Sequence, residues 1–188
     1  MSKLDYKKGN IYALIPLAQI GDAKALEELI RKVQKQVYAV FSHLCEKKED
    51  VSDLTQEALL KMAKSISQLK EPRFFRSWLN QIVTNLFYDY ARKNTNGYVD
   101  LNEERFNQIK DKLDCEPGEK CLFAELEKLI KAAILTLPED LRISLVLREF
   151  EGLSYEDIAK ITNSALGTVK SRISRARLKL KQELKDFI

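Results

Sequence analysis

Residues 147–184 read LREFEGLSYEDIAKITNSALGTVKSRISRARLKLKQEL, and their spacing decides the fold of the C-terminal half. Ser154-Tyr155-Glu156-Asp157 has the form of a capping box, in which the Ser154 hydroxyl takes an orphan backbone N–H and Asp157 reaches back. A short helix therefore starts at Ser154 and is expected to end near Thr162-Asn163, with a new helix beginning three or four residues later. Two helices joined by so short a turn make a helix-turn-helix. On the second helix, the helical period puts Val169, Ile173, Ala176 and Leu180 along one line, which is the face turned to the core. Thr168, Arg172, Arg175 and Lys179 fall on one flank, Lys170, Arg177 and Lys181 on the other, and Ser171 and Ser174 between them. Leu178 lies opposite Val169 and fits neither face; a partner contact is the one role left for it. Arginines fork onto guanine edges or phosphates, hydroxyls bond phosphates, and the helix N-terminus near Gly167 offers N–H groups to an anion. A solvated basic face is the alternative for the same residues.

The chain has 188 residues, 32 Lys and Arg against 28 Asp and Glu, a net charge of +4, and 45% hydrophobic residues. Residues 165–188 alone hold Lys170, Arg172, Arg175, Arg177, Lys179, Lys181 and Lys185 against only Glu183 and Asp186. The basic excess of the whole chain is thus one helix long, which is the electrostatic footprint of a polyanion partner. None of the 6 glycines makes a phosphate-binding GxxxxGK or GxGxxG. His43 and the scattered Cys45, Cys115 and Cys121 fill no zinc or nucleophile template, and the thiols are expected to stay reduced. A hydrolase, kinase or metalloenzyme is excluded as a first reading, and neither a metal nor a cofactor is expected.

No apolar run is long enough to span a bilayer. The N-terminal MSKLDYKKGNIYALIPLAQIGDAKAL places lysines ahead of a short apolar stretch, as a signal peptide would. Asp22, Lys24, Glu27 and Glu28 follow at once in a helical pattern without a clear cleavage site, so a cytoplasmic location is expected.

Helical periodicity runs through nearly every segment and almost nothing alternates as a strand would, so the fold class is all-α. Asp22 caps a helix whose apolar positions are Leu26, Leu29, Ile30, Val33, Val37, Phe41 and Leu44. A second helix is expected from Ser52 or Asp53, with Gln56 or Glu57 completing its cap. Pro72 then breaks the chain before a third helix at about 74–93. Residues 98–121 carry seven acids against four bases, with Pro117-Gly118 near the end. That stretch is longer than an ordinary helix connection, and the expected organisation is a domain over 1–95, a linker over 96–120 and a second domain over 121–188. Helices are expected in the last part at about 119–136, 138–150, 154–162 and 165–186.

The first half holds a second constellation: Lys70, Arg73, Phe74, Phe75, Arg76, Trp78, Asn80, Gln81, Asn85, Tyr88, Tyr90, Arg92 and Lys93. Aromatics interleaved with bases suit single-stranded nucleic acid, since rings stack on unpaired bases and cations track phosphates. Trp78, Leu79, Ile82, Val83, Leu86 and Tyr90 equally form a helix core stripe, and periodicity leaves both readings open.

Four motifs stand in order: DVSDLTQEALLKM at 50–62, FRSWLNQIVTNLFYDYARK at 75–93, LPEDLRISLVLREFEGLSYEDIAKI at 137–161 and GTVKSRISRARLKL at 167–180. With the acidic stretch between them, the chain resembles the extracytoplasmic-function sigma factors, the small two-domain branch of the bacterial RNA polymerase sigma-70 family. The resemblance covers roughly residues 14–186. It implies that Asp53, Leu54, Gln56 and Glu57 dock on the clamp helices of core RNA polymerase. It further implies that the loop at 68–74 and the helix after it capture a flipped base of the promoter's −10 element. Arg73, Phe74, Arg76 and Asn80 would be accessible there with Lys70 beside them, Trp78 would be core, and Asn85, Tyr88, Arg92 and Lys93 would meet the DNA near melting. The second helix of the helix-turn-helix would read the −35 element as duplex, with Lys170, Ser171, Arg172 and Arg175 in the groove and Thr168, Arg177 and Lys179 alongside.

Two positions depart from the family pattern. Ser52 stands where most relatives have an acid, and Thr162 and Ser164 stand where the turn usually carries apolar residues. The family commonly has an anti-sigma partner, which no residue here identifies. The acidic linker would suit the basic channel through which nascent RNA leaves. Two other classes compete: a stand-alone helix-turn-helix regulator with an unrelated N-terminal domain, and an enzyme acting on nucleic acid, which would need more acids beside the aromatics than Asp89.

Overall fold

The computed structural model describes residues 10–94 and 119–185, with side chains of the second stretch from residue 126 on, and among these residues it is helical without strands. Helix α1 spans Ile11–Gln19 and α2 spans Ala23–Leu44. The turn between them follows from two residues. Gly21, at φ +91, takes the left-handed conformation that ends α1, with its N–H on the Ala18 carbonyl and the Asp22 N–H on that of Leu17. Asp22 then caps α2, its carboxylate accepting from the Lys24 and Ala25 N–H groups, as the sequence predicts. Helix α1 was not foreseen. Its apolar stretch, which read as a possible signal segment, buries Leu14, Ile15 and Ala18 against the first core.

A short connection turns α2 into α3, Lys48–Ser65, which begins one turn earlier than expected. Ser52 and Asp53 lie inside this helix, Lys47 stands at its N-cap without a side-chain bond, and Glu49 and Asp50 in the first turn complement the helix dipole instead. After α3, short 3₁₀ turns at Ile66–Gln68 and Pro72–Phe74 flank an extended Glu71, the conformation that the following proline favours. Gln19 fastens this loop by donating to the carbonyls of Ile66 and Leu69 at 3.1 and 2.6 Å. Helix α4 runs Phe75–Lys93 and buries Phe75, Leu79, Val83, Leu86 and Phe87, with Trp78, Ile82 and Tyr90 half-buried on the same core.

The second half comprises α5, Glu119–Leu135; α6, Glu139–Glu149; α7, Tyr155–Ile161; and α8, Leu166–Glu183. The expected linker overlaps the start of α5 by two residues; its other residues, apart from Glu119 and Lys120, lie outside the described part of the chain, as do Cys115 and the acidic run. The Ser154 hydroxyl accepts from the Asp157 N–H at 3.0 Å and donates to the Asp157 carboxylate at 2.7 Å, so the capping box closes through the two side chains. Asn163, at φ 47, supplies the left-handed residue that turns α7 into α8, with the Ser164 N–H on the Ala159 carbonyl. Val169, Ile173 and Ala176 are buried and Leu180 is half-buried, as the period predicts.

The two halves touch. Helices α2 and α4 lie against α5, α6 and α7, and one continuous set of buried residues runs from Leu14 through Phe87 to Ala176. Arg142 of α6, buried among these residues, donates to the Leu44 carbonyl at the end of α2 and to the Leu135 and Leu137 carbonyls at the end of α5. One guanidinium thus sits where the negative ends of two helices from different halves meet. His43 stacks on Phe150 across the same seam at 3.9 Å between ring centroids.

Candidate nucleic-acid interface

Helix α8 presents the basic surface. Lys170, Arg175 and Lys179 are exposed, and Lys170 and Lys179 make no ion pair among the described residues. Arg175 lies along the helix, with its Nε on the Ser171 carbonyl at 3.3 Å and a terminal nitrogen on the Ser171 hydroxyl at 3.2 Å. Thr168 is exposed and its carbonyl accepts from the Ser171 hydroxyl at 2.9 Å. Ala165 stands at the N-cap without a side-chain bond, and a Cβ on Gly167 would meet nothing within 4 Å, so the first turn of α8 is open to an approaching anion. Leu178 is 57% exposed on the outer side.

Two of the flanking arginines are already engaged. Arg177 forks onto the Glu149 carboxylate at 2.5 and 3.0 Å. The Arg172 side chain, 16% exposed, donates to the Ser164 hydroxyl at 2.8 Å and is paired with Asp140 of α6. Thr162 and Ser164, the departures in the turn, therefore have specific work: Thr162 donates to the Ile158 carbonyl and Ser164 holds Arg172.

In the first half, Arg73 lies over the Phe74 ring at 4.8 Å and pairs with Glu71 at 2.7 Å, while Phe74 is 51% exposed. A cation resting on an exposed ring at the tip of a fastened loop is a stacking platform of the kind unpaired bases use. Lys70, Asn85, Arg92 and Lys93 are exposed; Asn85 accepts from Gln81 at 3.1 Å and Arg92 pairs with Asp89. Arg76 faces Glu151 at 3.6 Å. Tyr88 donates to Asp140 at 2.9 Å, and burial together with that bond pushes its phenol well above the ordinary tyrosine range.

Asn80 corrects the expectation of accessibility. It is 3% exposed, donating to the Arg76 carbonyl at 3.1 Å and to the Glu151 carboxylate at 2.9 Å. The covering group, Glu151, lies 71 residues away, so nothing near Asn80 in the sequence points to it. Asp140 and Arg142 stand in the motif at 137–161, but their partners Tyr88 and Leu44 lie 52 and 98 residues away, so their roles were missed too.

Elsewhere in the first half, Asp53, Gln56 and Glu57 are exposed on α3, Glu57 pairs with Lys61 at 3.1 Å, and Leu54 packs inward. Beside them an open groove of about 420 Å³ runs between α2 and α3, lined by Lys35, Tyr38, Ser52, Thr55, Gln56 and Leu59.

Comparison with known proteins finds two family models along the chain. The family model for Sigma-70 region 2 matches residues 29–97, and that for Sigma-70, region 4 matches residues 127–180. The ECF RNA polymerase sigma-E factor of Haemophilus influenzae is 33% identical over 184 residues, covering 94% of this chain and 96% of its own. The RNA polymerase sigma-H factor of Pseudomonas aeruginosa is 32% identical over 181 residues, covering 93% and 94%. Among solved structures, the sigma factor RpoE of Bartonella quintana, in co-crystals with the anti-sigma factor NepR, is similar with a TM-score of 0.66 and 28% identity over 88% of this chain and 100% of its own.

Proposed function

Because the chain belongs to the sigma-70 family, in its extracytoplasmic-function branch, and acts as an RNA polymerase sigma factor in transcription initiation, we propose how its surfaces divide that work. The outer surface of α3, with Asp53, Gln56 and Glu57 beside the groove that reaches Tyr38, docks on core polymerase, and Leu54 holds the helix in place. The outward face of α8 reads the −35 element as duplex. Lys170, Ser171 and Arg175 meet base edges and phosphates, while Thr168 and Lys179 track the backbone. The loop at 68–74 and the outer side of α4 take the melted −10 strand, with Phe74 stacking on an extruded base and Lys70, Arg73, Arg92 and Lys93 following phosphates. Extruding a base costs a few kcal/mol, which stacking and hydrogen bonds in the protein offset. The role is recognition, and the chemistry of RNA synthesis stays with the polymerase. Promoter DNA and core polymerase are its partners in this reading, and an anti-sigma protein is a third.

The observation that carries the reading is the open basic face of α8, directly after a capped α7 and a short turn. Run-off transcription with core polymerase tests it. Arg175→Ala weakens −35 recognition by about 1–3 kcal/mol and leaves polymerase binding intact. Equal transcription from matched and mismatched −35 elements in both proteins overturns it. The match over residues 29–97 to Sigma-70 region 2 favours this reading over a stand-alone regulator, whose N-terminal half would be unrelated to that family.

A further inference from the structure

Helix α1 is apolar both on the side it buries and on the side it leaves in water. Leu14, Ile15 and Ala18 pack into the first core, and Gln19 is turned onto the Ile66 and Leu69 carbonyls. Tyr12, Ala13, Pro16 and Ile20 are exposed, and the helical period gathers them within an arc of about 100°. Ile20 is 81% exposed and Tyr12 47%. No residue from Ile11 to Ile20 carries a charge, whereas the outer face of a surface helix ordinarily carries polar and charged side chains. Neither polymerase nor DNA is assigned to this face.

The chain on either side of it has the opposite character. Residues 1–10 hold Lys3, Lys7 and Lys8 against Asp5 alone. Lys24, at the start of α2, is exposed four residues beyond Ile20. We propose that the outer face of α1, with the lysines ahead of it, is a docking surface for an anionic lipid bilayer. Its apolar side chains enter the headgroup region, the Tyr12 hydroxyl stays at the water boundary, and the lysines meet lipid phosphates.

Length decides how the helix would sit. Nine residues rise about 14 Å against a hydrocarbon core of about 30 Å, so α1 lies in the interface and does not span it. No helix among the described residues is long and apolar enough to cross a membrane. A second copy of the chain is the competing occupant. A stable protein interface takes about 800 Å² from each partner, which four side chains of one short helix do not supply, and lysines of like charge would then face each other. A bilayer sets no such requirement, since each apolar side chain that leaves water contributes by itself and anionic headgroups attract the lysines. One short helix with a few lysines gives a reversible association, not a stable anchor.

Vesicle co-sedimentation of the full chain tests the proposal, with vesicles of equal parts phosphatidylglycerol and phosphatidylcholine beside vesicles of phosphatidylcholine alone. The wild type is expected to bind the anionic vesicles at least about tenfold more strongly than the neutral ones, and less strongly as salt rises. Ile20→Asp lowers binding to the anionic vesicles about tenfold, the factor expected when one exposed isoleucine no longer leaves water. Lys7→Glu with Lys8→Glu lowers it by about as much. A wild type that binds neither kind of vesicle, or both equally, overturns the proposal. Attraction through the basic face of α8 alone would leave both variants at the wild-type level, and overturns it too. Wild-type dimers in light scattering that Ile20→Asp disperses would give the face to a second copy. Run-off transcription by Ile20→Asp with core polymerase is expected to match the wild type, and a loss there would assign the face to polymerase or promoter instead. Should Ile20→Asp lose its helical circular dichroism, Ala13→Glu, on the same exposed face, decides in its place.

Discussion

Arg142 is the residue on which the contact between the halves turns. Its guanidinium donates to three buried carbonyls, those of Leu44, Leu135 and Leu137, at distances of 2.7 to 3.2 Å. Hydrogen bonds from a charged donor are stronger than neutral ones, and removing that donor costs the carbonyls their desolvation as well. Arg142→Ala is expected to lower stability by about 3 kcal/mol in urea unfolding. Arg142→Lys recovers only part of that, because one ammonium cannot reach the ends of two helices. A loss under about 0.5 kcal/mol, the size of an ordinary surface substitution, would mean that the guanidinium is a bystander. Single residues are also where sequence reading reached least far. The Cys45 thiol, whose burial the sequence does not reveal, lies in the core and is pushed up to about 12 by that burial, so it stays protonated near neutrality. Asn80 reads as an accessible polar residue on a half-polar helix, and only the fold brings Glu151 over it. Pairings over such sequence distances leave no periodic trace.

At the scale of elements the sequence was far more informative, because caps and periods are local. Asp22, the Ser154 and Asp157 pair, the break at Pro72 and the buried line of α8 all appear where short-range rules put them. The two misses have physical reasons. Helix α1 carries Pro16 inside nine residues, too short and too interrupted to show a period, and is stabilised by docking on α2. The start of α3 was misplaced because Ser52 and Asp53 imitate a cap while the helix begins a turn earlier on acids alone. The difference between these two apparent caps is measurable. Ser154→Ala removes a cap that is made and is expected to cost about 1 kcal/mol in thermal unfolding. Ser52→Ala, inside a helix, should stay within about 0.5 kcal/mol of the wild type. Equal losses at both sites would contradict the assignment of α3.

At the scale of the whole molecule, the order of motifs carried the family, and the family models fall on the same two stretches. What no motif carried is how the two stretches sit. The core runs without interruption across the seam, whereas the sequence reads as two units on a tether. A tethered pair and a closed pair have the same local patterns, since the seam is built from α2, α4, α5, α6 and α7 faces that each unit would otherwise expose to water. Asp53, Gln56 and Glu57 on α3 are exposed beside the groove. That surface is where the central claim can be tested most directly: size-exclusion chromatography of the full chain with bacterial core RNA polymerase, with an Asp53→Ala, Gln56→Ala double variant alongside. Both side chains are exposed and neither caps α3, so the variant is expected to keep its helical circular dichroism. The account predicts that the wild type comigrates with polymerase and the folded variant does not. A wild type that elutes apart from polymerase, while binding duplex DNA tightly by itself, would contradict it.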